Sequence, residues 1–194
     1  MHAWGQVASF QTDRPLPDAP RRALDAVTAA QIAIRSVDEA QPGFDARRGA
    51  RSRTYCYRVL AGPVASPFEV DRALWWPYPL EREHLHACAA AVAGTHDFTA
   101  FTPTDTEHVR FERDVLRCEW ADGVGLGPEP VLELWIEADA FMRNMVRVLV
   151  GTMLEVGAGR RSLDDFRALL DGAPRERAGE TAPAHGLYLV SVSY

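Results

Sequence analysis

Arg143 and Arg147 are the residues whose type and spacing point most directly to chemistry in this chain of 194 residues. They lie near the start of a segment, Phe141 to Val156, in which apolar residues recur at three- and four-residue steps, so the spacing predicts a helix. Cations are unfavourable in the first turns of a helix because the positive end of its dipole lies there. Two arginines in this place indicate an anionic partner, either a carboxylate or a phosphate.

Ordinary structural roles compete with this interpretation. An arginine at a helix edge commonly packs its stem and leaves its charged head in water, and Arg147 could do only that. Tyr55 lies in a segment, Arg53 to Leu60, that alternates between aromatic or aliphatic and more polar residues and predicts a strand with one solvent-facing side. The default role of Tyr55, and of Tyr57 beside it, is packing in the core.

Other chemical groupings are weaker. On a helix His84 and Cys88 would share a face but His86 would not, and two ligands do not make a tetrahedral metal site, so we predict no metal. Asp97 and Asp139 could be catalytic carboxylates, but capping a helix or a turn is the commoner role. The sequence has neither a glycine-rich phosphate loop nor a serine nucleophile motif.

Strands and helices that could position these residues follow one another without a regular βαβ alternation. This order predicts an α+β fold with a mixed or antiparallel sheet flanked by helices. The predicted strands are Val7–Phe10, Gln31–Val37, Arg53–Leu60, Phe111–Trp120, Val131–Ala138 and Leu187–Val192. The predicted helices are Pro20–Ala30, Leu80–Ala93, Phe141–Val156 and one that Ser162–Asp165 opens with a capping box.

The composition is that of a globular protein, with 47% apolar and 25% charged residues. No apolar run approaches the ~18 residues of a membrane span, and the amino terminus lacks the pattern of a secretory signal. We therefore predict a cytoplasmic protein without a membrane partner. Its three widely spaced cysteines fit reduced thiols better than a disulfide framework.

The charge pattern leaves nucleic-acid binding open. A net charge of -6 argues mildly against it, but all 21 basic residues are arginine, which binds phosphates through a planar fork and stacks on bases. Codon usage in a GC-rich genome would also replace lysine by arginine. Local arginine clusters are most often solvated faces.

Six segments spread over nearly the whole chain form one set of motifs. They are His2–Phe10, Phe44-Asp-Ala-Arg47, Arg53-Thr-Tyr55-Cys-Tyr57, Gly94–Phe101, Phe141–Gly157 and Ala178–Val190. Together they closely resemble motifs of the TruA-type tRNA pseudouridine synthases. The resemblance implies a pseudouridine synthase-like fold and an intramolecular isomerase that acts without metal or cofactor. Its substrate would be the anticodon stem-loop of tRNA, at uridines 38 to 40, and the protein would be a homodimer.

The resemblance also implies roles for single residues. Arg147 would face the active-site cleft and form an ion pair with the nucleophilic aspartate of the family. Tyr55 would lie against the target base, since a flipped base needs a stacking surface, and Leu187 would be an apolar wall of the same pocket. The resemblance, and not the composition, makes Arg47, Arg53 and Arg143 candidate contacts to RNA.

The chain departs from the family at its start. The family's catalytic loop reads Arg-Thr-Asp-Ala-Gly-Val-His-Ala, and Met1-His2-Ala3 matches only its end, with Met1 in the valine position. We therefore expect an amino-terminally truncated chain, with residues 1–48 a remnant of the first subdomain and residues 49–194 the carboxyl-terminal one. Either a start codon misassigned within a longer gene or a real truncation would explain this.

The missing aspartate leaves three hypotheses about function. The 194-residue chain is expected to be inactive, although the complete protein would be a tRNA pseudouridine synthase. Alternatively, the chain is a non-catalytic fragment that binds tRNA or another RNA, or a dimerisation partner.

Overall fold

The computed structural model describes residues 1–106 and 109–194, which form two compact units. The larger unit consists of Met1–Gln6 and Arg51–Tyr194, and the smaller one of Val7–Ala50. All of the predicted site residues except Arg47 belong to the larger unit.

The smaller unit contains one short helix, α1 (Pro20–Asp25), which begins with proline at its first position. This helix is shorter than the predicted Pro20–Ala30, and the predictions of strands at Val7–Phe10 and Gln31–Val37 are wrong. The N–H of Ile34 donates to the Asp25 carboxylate at 2.7 Å, not to a neighbouring strand. Alternating apolar residues specify a strand only where a partner strand and an apolar surface are available.

A mixed sheet forms the larger unit, as predicted. Its strands run in the order β1-β7-β2-β6-β5-β4, and β3 pairs with β2. β1 is parallel to β7 and β3 is parallel to β2, whereas the remaining pairs are antiparallel. The strands are β1 (His2–Ala3), β2 (Ser52–Ala61), β3 (Leu74–Trp76), β4 (Gly94–Asp97), β5 (Glu112–Gly123), β6 (Val131–Ala138) and β7 (Leu187–Ser193).

Three helices of the larger unit complete the α+β fold, and they are α2 (Arg82–Val92), α3 (Met145–Gly157) and α4 (Leu163–Arg167). α3 is buried along most of its length, so it packs as a core helix against the sheet and the other helices. The Ser162 hydroxyl accepts the N–H of Asp165 at 3.0 Å, which is the predicted cap of α4. None of the helices within the described ranges is long and apolar enough to cross a bilayer.

The prediction that one side of β2 faces solvent is wrong. Cys56 is fully buried and Arg58 is 7% exposed, although both lie on the side opposite to Tyr57. Residues 62–73 and the turn between β5 and β6 contribute the groups that bind Arg58 on this side. Sequence alternation identified the two sides of the strand but not the segment that covers the second one.

A buried ion network holds residues 62–73 against this side of β2. The Arg58 guanidinium contacts Glu69 at 2.9 Å and Glu133 at 3.2 Å, and it donates to Val124 O at 2.7 Å. The other Glu69 oxygen accepts the N–H of Leu126 at 2.8 Å. Glu69 is only 1% exposed, so breaking these contacts would leave buried polar groups without partners.

The three cysteines are free thiols, of which Cys56 and Cys88 are buried. Burial raises the pKa of both thiols to about 12, from an ordinary value of 9.0. The unfolded chain therefore releases these protons at a lower pH than the folded chain. The resulting stabilisation is complete below about pH 9 and is lost as the pH rises towards 12.

We therefore expect the free energy of unfolding to fall above pH 9, by roughly 1.4 kcal/mol per buried thiol and pH unit. Burial also raises the pKa of Tyr57, which acts in the same direction. Urea unfolding at pH 8, 9 and 10 measures this effect. A free energy of unfolding that stays constant up to pH 10 would contradict it.

Candidate functional site

The candidate site is built around the start of α3. This helix begins at Met145, four residues later than predicted, because the preceding Asn144 has a left-handed backbone with φ of 62°. Arg143 consequently lies outside the helix, where it is exposed and forms an ion pair with Asp105. Only Arg147 lies within the first helical turn, so the argument from the helix dipole applies to it alone.

Neutral oxygen atoms hold the Arg147 guanidinium. Its Nε donates to Ala182 O at 2.6 Å, and Nη1 donates to the side-chain oxygen of Asn144 at 2.8 Å. The backbone N–H of Ala182 in turn donates to Arg147 O at 3.1 Å. Among the described residues no carboxylate lies within ion-pair distance of Arg147, so its positive charge is oriented but not neutralised.

The loop from 178 to 186 lies directly on α3. The Gly179 N–H donates to the hydroxyl of Thr152, the residue that follows Gly151, at 3.0 Å. A Cβ placed on Gly151 would lie 1.9 Å from the carbonyl oxygen of Glu180. Glycine at this position therefore allows the loop to approach closely enough for Ala182 to bind Arg147.

Replacing Gly151 by alanine is expected to force the loop away from α3. The added Cβ would meet backbone atoms, which a rotamer change cannot move, so we expect destabilisation of about 1–3 kcal/mol. Thermal unfolding of Gly151→Ala measures the loss. Gly62→Ala is the matched control, because a Cβ placed on Gly62 would meet only Pro130, at 4.0 Å, and the φ of Gly62 is not positive. Equal stability of Gly151→Ala and wild type would contradict the close approach.

Tyr57 binds the same loop from the sheet. It is fully buried, and its hydroxyl donates to Pro183 O at 2.8 Å. The carbonyls of Ala182 and Pro183 are consecutive in the chain, and one binds Arg147 while the other binds Tyr57. Tyr57 thus packs, as the sequence suggested, and also connects β2 to the loop that holds the arginine.

Tyr55 lies on the same side of β2, two residues before Tyr57. Its ring makes an edge contact with Phe141 at 5.1 Å between centroids, and its hydroxyl has no hydrogen bond to any residue that the structure describes. A β-bulge shifts the register between Thr54 and Tyr55, and bulges re-aim side chains next to functional sites. Partial burial raises the pKa of the Tyr55 hydroxyl, opposed by the charge of Arg53, so the hydroxyl is protonated at neutral pH.

Leu187 is the first residue of β7 and pairs with Tyr57. Paired residues of antiparallel strands project to the same side of the sheet, so Leu187, Tyr57 and Tyr55 share the side that faces the helices. Leu187 is 7% exposed and belongs to the apolar core. The structure therefore brings three of the predicted residues, Arg147, Tyr55 and Leu187, into one region around Tyr57 and the 178–186 loop.

The three candidate RNA contacts lie outside this group. Arg53 is partly buried and donates to Asp139 O at 3.3 Å, and Arg143 is on the surface. Arg47 is exposed in the smaller unit, where its backbone N–H donates to Asp45 at 2.8 Å. Their role in binding RNA stays a prediction.

The alternative carboxylates have structural roles. Asp97 accepts the N–H and the hydroxyl of Thr99, and Asp139 accepts the N–H groups of Asp114 and Ala140. Asp97 therefore caps a turn, the commoner role that the sequence suggested, whereas Asp139 binds the backbone of β5 and of its own next residue.

The suggested His/Cys grouping does not converge. His84 and His86 are exposed whereas Cys88 is buried. No group of three potential metal ligands occurs in the described part of the chain.

Sequence reasoning missed Asn144, Phe141 and the carbonyl of Ala182. Asparagine before an apolar helix is an ordinary cap signal, and main-chain carbonyls carry no sequence signal at all. Asn144 and Ala182 orient the Arg147 cation, which suits an anionic group, and Phe141 contacts the ring of Tyr55.

A family model described as tRNA pseudouridine synthase matches residues 88–194, which include α3 and the loop that holds Arg147.

The whole chain also matches individual relatives. The tRNA pseudouridine synthase A of Geobacillus sp. (strain WCH70) is 37% identical over 195 residues, which cover 100% of this chain and 77% of the relative. That of Bacillus subtilis (strain 168) is 36% identical over 199 residues, with the same coverage. That of Frankia casuarinae is 40% identical over 201 residues, which cover 100% of this chain and 70% of the relative. The chain therefore belongs to the tRNA pseudouridine synthase A family.

Proposed function

We propose that this chain is the larger part of an enzyme that isomerises uridine to pseudouridine in the anticodon stem-loop of tRNA, at positions 38 to 40. The observation that carries the proposal is the guanidinium of Arg147, which Ala182 and Asn144 orient without neutralising. A partly buried cation is stabilised by a carboxylate partner. In the proposed enzyme that partner is the nucleophilic aspartate.

We place this aspartate among residues that precede Met1. β1 is parallel to β7 with His2 opposite Tyr188, so earlier residues would be directed towards Leu187 and Pro183. That end of the sheet carries the loop that binds Arg147. On the family motif the aspartate stands three residues before Met1. We therefore expect the 194 residues to be inactive when they are tested alone.

The reaction defines what the side chains would do. It breaks the bond between N1 of uracil and C1′ of ribose and forms a bond between C5 and C1′. The proton on C5 is lost and N1 gains one, so the isomerisation is balanced without an oxidant or a reductant. The uridine must leave its stack, which costs a few kcal/mol.

Tyr55 and Leu187 would receive the extruded base. The ring of Tyr55 would stack on the uracil, and its protonated hydroxyl would assist proton transfer. Leu187 would form an apolar wall of the pocket. Arg147 would orient the aspartate and stabilise its charge.

We further propose the subdomains, the oligomeric state, the location and the tRNA contacts of the enzyme. Residues 1–48 belong to the first subdomain and residues 49–194 to the second, and the protein acts as a cytoplasmic homodimer. Arg47, Arg53 and Arg143 contact the tRNA backbone. Arg143 can leave Asp105 for a phosphate at little cost, because exposed ion pairs contribute about 0–1 kcal/mol. Light scattering on the purified protein, with and without tRNA, measures its molar mass and therefore its oligomeric state.

The substrate is tested with tRNA transcripts that carry one uridine each, at position 38, 39 or 40. The enzyme used is the polypeptide extended by the in-frame codons that precede Met1. We expect pseudouridine at each of these positions and none in a transcript with uridine only elsewhere in the anticodon arm. Modification at other positions would overturn the substrate assignment. Salt-sensitive binding without turnover would favour the non-catalytic RNA-binding fragment. The absence of both binding and turnover would favour the dimerisation partner.

A further inference from the structure

Asn144 combines two unusual features directly before α3. Among the described residues it is the one non-glycine residue with a positive φ. A left-handed backbone disfavours most side chains, and asparagine is one of the few residues enriched in it. Strained positions of this kind cluster at functional sites.

The side chain of Asn144 is not used as a helix cap. An asparagine at this position ordinarily accepts an N–H from the first helical turn, but Asn144 makes no such bond. Its Oδ1 accepts from Nη1 of Arg147 at 2.8 Å, whereas its backbone oxygen accepts the N–H of Val148 at 3.0 Å. The backbone therefore starts the helix, and the carboxamide is committed to the arginine.

The choice of a neutral acceptor matters for the charge of Arg147. Ala182 O at Nε and Asn144 Oδ1 at Nη1 fix two of the three guanidinium nitrogens, and therefore the plane of the fork. Neither acceptor carries a charge, so the positive charge remains for another carboxylate. An aspartate at position 144 would accept the same hydrogen bond but would also neutralise the guanidinium.

We propose that Asn144 is the positioning residue of Arg147: its left-handed backbone and neutral carboxamide hold the guanidinium in the plane that receives the catalytic carboxylate. This inference rests on the proposed function, because it assigns Arg147 its carboxylate partner there. It accounts for an uncharged side chain at a position where a charged one would bind arginine more strongly.

Two substitutions separate the features of Asn144. Asn144→Gly keeps the left-handed backbone but removes the acceptor, and Asn144→Asp keeps the acceptor but adds a charge. In the upstream-extended enzyme we expect each to lower kcat about 10- to 100-fold, with KM for tRNA changed less than about threefold, since a hydrogen bond to a charged group is lost or its charge is neutralised. Asn144→Ala, which loses both features, should also be less stable. A kcat unchanged in Asn144→Gly would overturn the proposal.

A second measurement does not require activity. In the 194-residue chain, restricted rotation should give Arg147 separate Nη resonances in nitrogen-15 NMR spectra, and Asn144→Gly should merge them. Separate resonances that persist in Asn144→Gly would overturn the proposal. If the extended wild-type enzyme is inactive but the resonances merge as expected, the positioning of Arg147 stands and the proposed function fails.

Discussion

Arg147→Ala in the upstream-extended enzyme is expected to lower kcat on the order of 10²–10⁴-fold. Removing one partner of a buried ion pair leaves the other charge uncompensated, which costs about 3–5 kcal/mol. The loss should also appear in the single-turnover rate constant, while the dissociation constant of tRNA should change by less than about threefold. The kcat of Arg147→Lys should lie between those of the wild type and Arg147→Ala, because one ammonium cannot bind Ala182, Asn144 and a carboxylate as a planar fork does.

This comparison also separates a carboxylate partner from a phosphate partner. If Arg147 binds RNA phosphate, Arg147→Ala would weaken tRNA binding and reduce its salt dependence, with kcat unchanged at saturation. That result would contradict the assigned role. Arg82→Ala is the matched control, since Arg82 is an exposed arginine at the start of α2 that pairs with Asp122 of β5 and lies outside the proposed site.

Glu69→Ala is expected to destabilise the chain by about 3–5 kcal/mol, because it leaves the buried guanidinium of Arg58 without its closest carboxylate. It also removes the acceptor of the Leu126 N–H. For a chain of this size the loss corresponds to a fall in Tm of roughly 6–20 °C. Thermal unfolding of the purified variant measures it.

An exposed ion pair provides the control for this effect. Asp122→Ala breaks the pair with Arg82, and exposed pairs contribute about 0–1 kcal/mol. If Glu69→Ala is as stable as Asp122→Ala, then Glu133 and Val124 O satisfy Arg58 without Glu69. In that case the buried network does not hold residues 62–73 against β2.

Regular and strongly patterned elements could be predicted from the sequence. β6 spans the predicted residues Val131–Ala138, and β2, α2 and β7 differ from their predicted ends by only one or two residues. These segments combine a clear apolar period with turn or cap residues at their ends. The short strands β3 and β4 were missed, because β4 contains glycine and aspartate and depends on its pairing with β5.

The start of α3 shows why the site could be predicted only in part. The apolar pattern continues from Phe141 into the helix, so the pattern alone extends the helix backwards over Asn144. The left-handed backbone of Asn144 ends the helix there, and its side chain binds Arg147 instead of capping the first turn. Likewise, Arg58 in an apolar strand signals a need for buried partners, but Glu69 and Glu133 could not be named without the fold.

Pseudouridine formation by two forms of the protein tests the central claim most directly. Tritium release from tRNA labelled at C5 of uridine would be measured for the 194-residue chain and for the chain extended by the in-frame codons before Met1. The account predicts turnover by the extended chain, none by the 194 residues, and none when the upstream aspartate is replaced by asparagine. Turnover by the 194 residues alone, or by the aspartate variant, would contradict it.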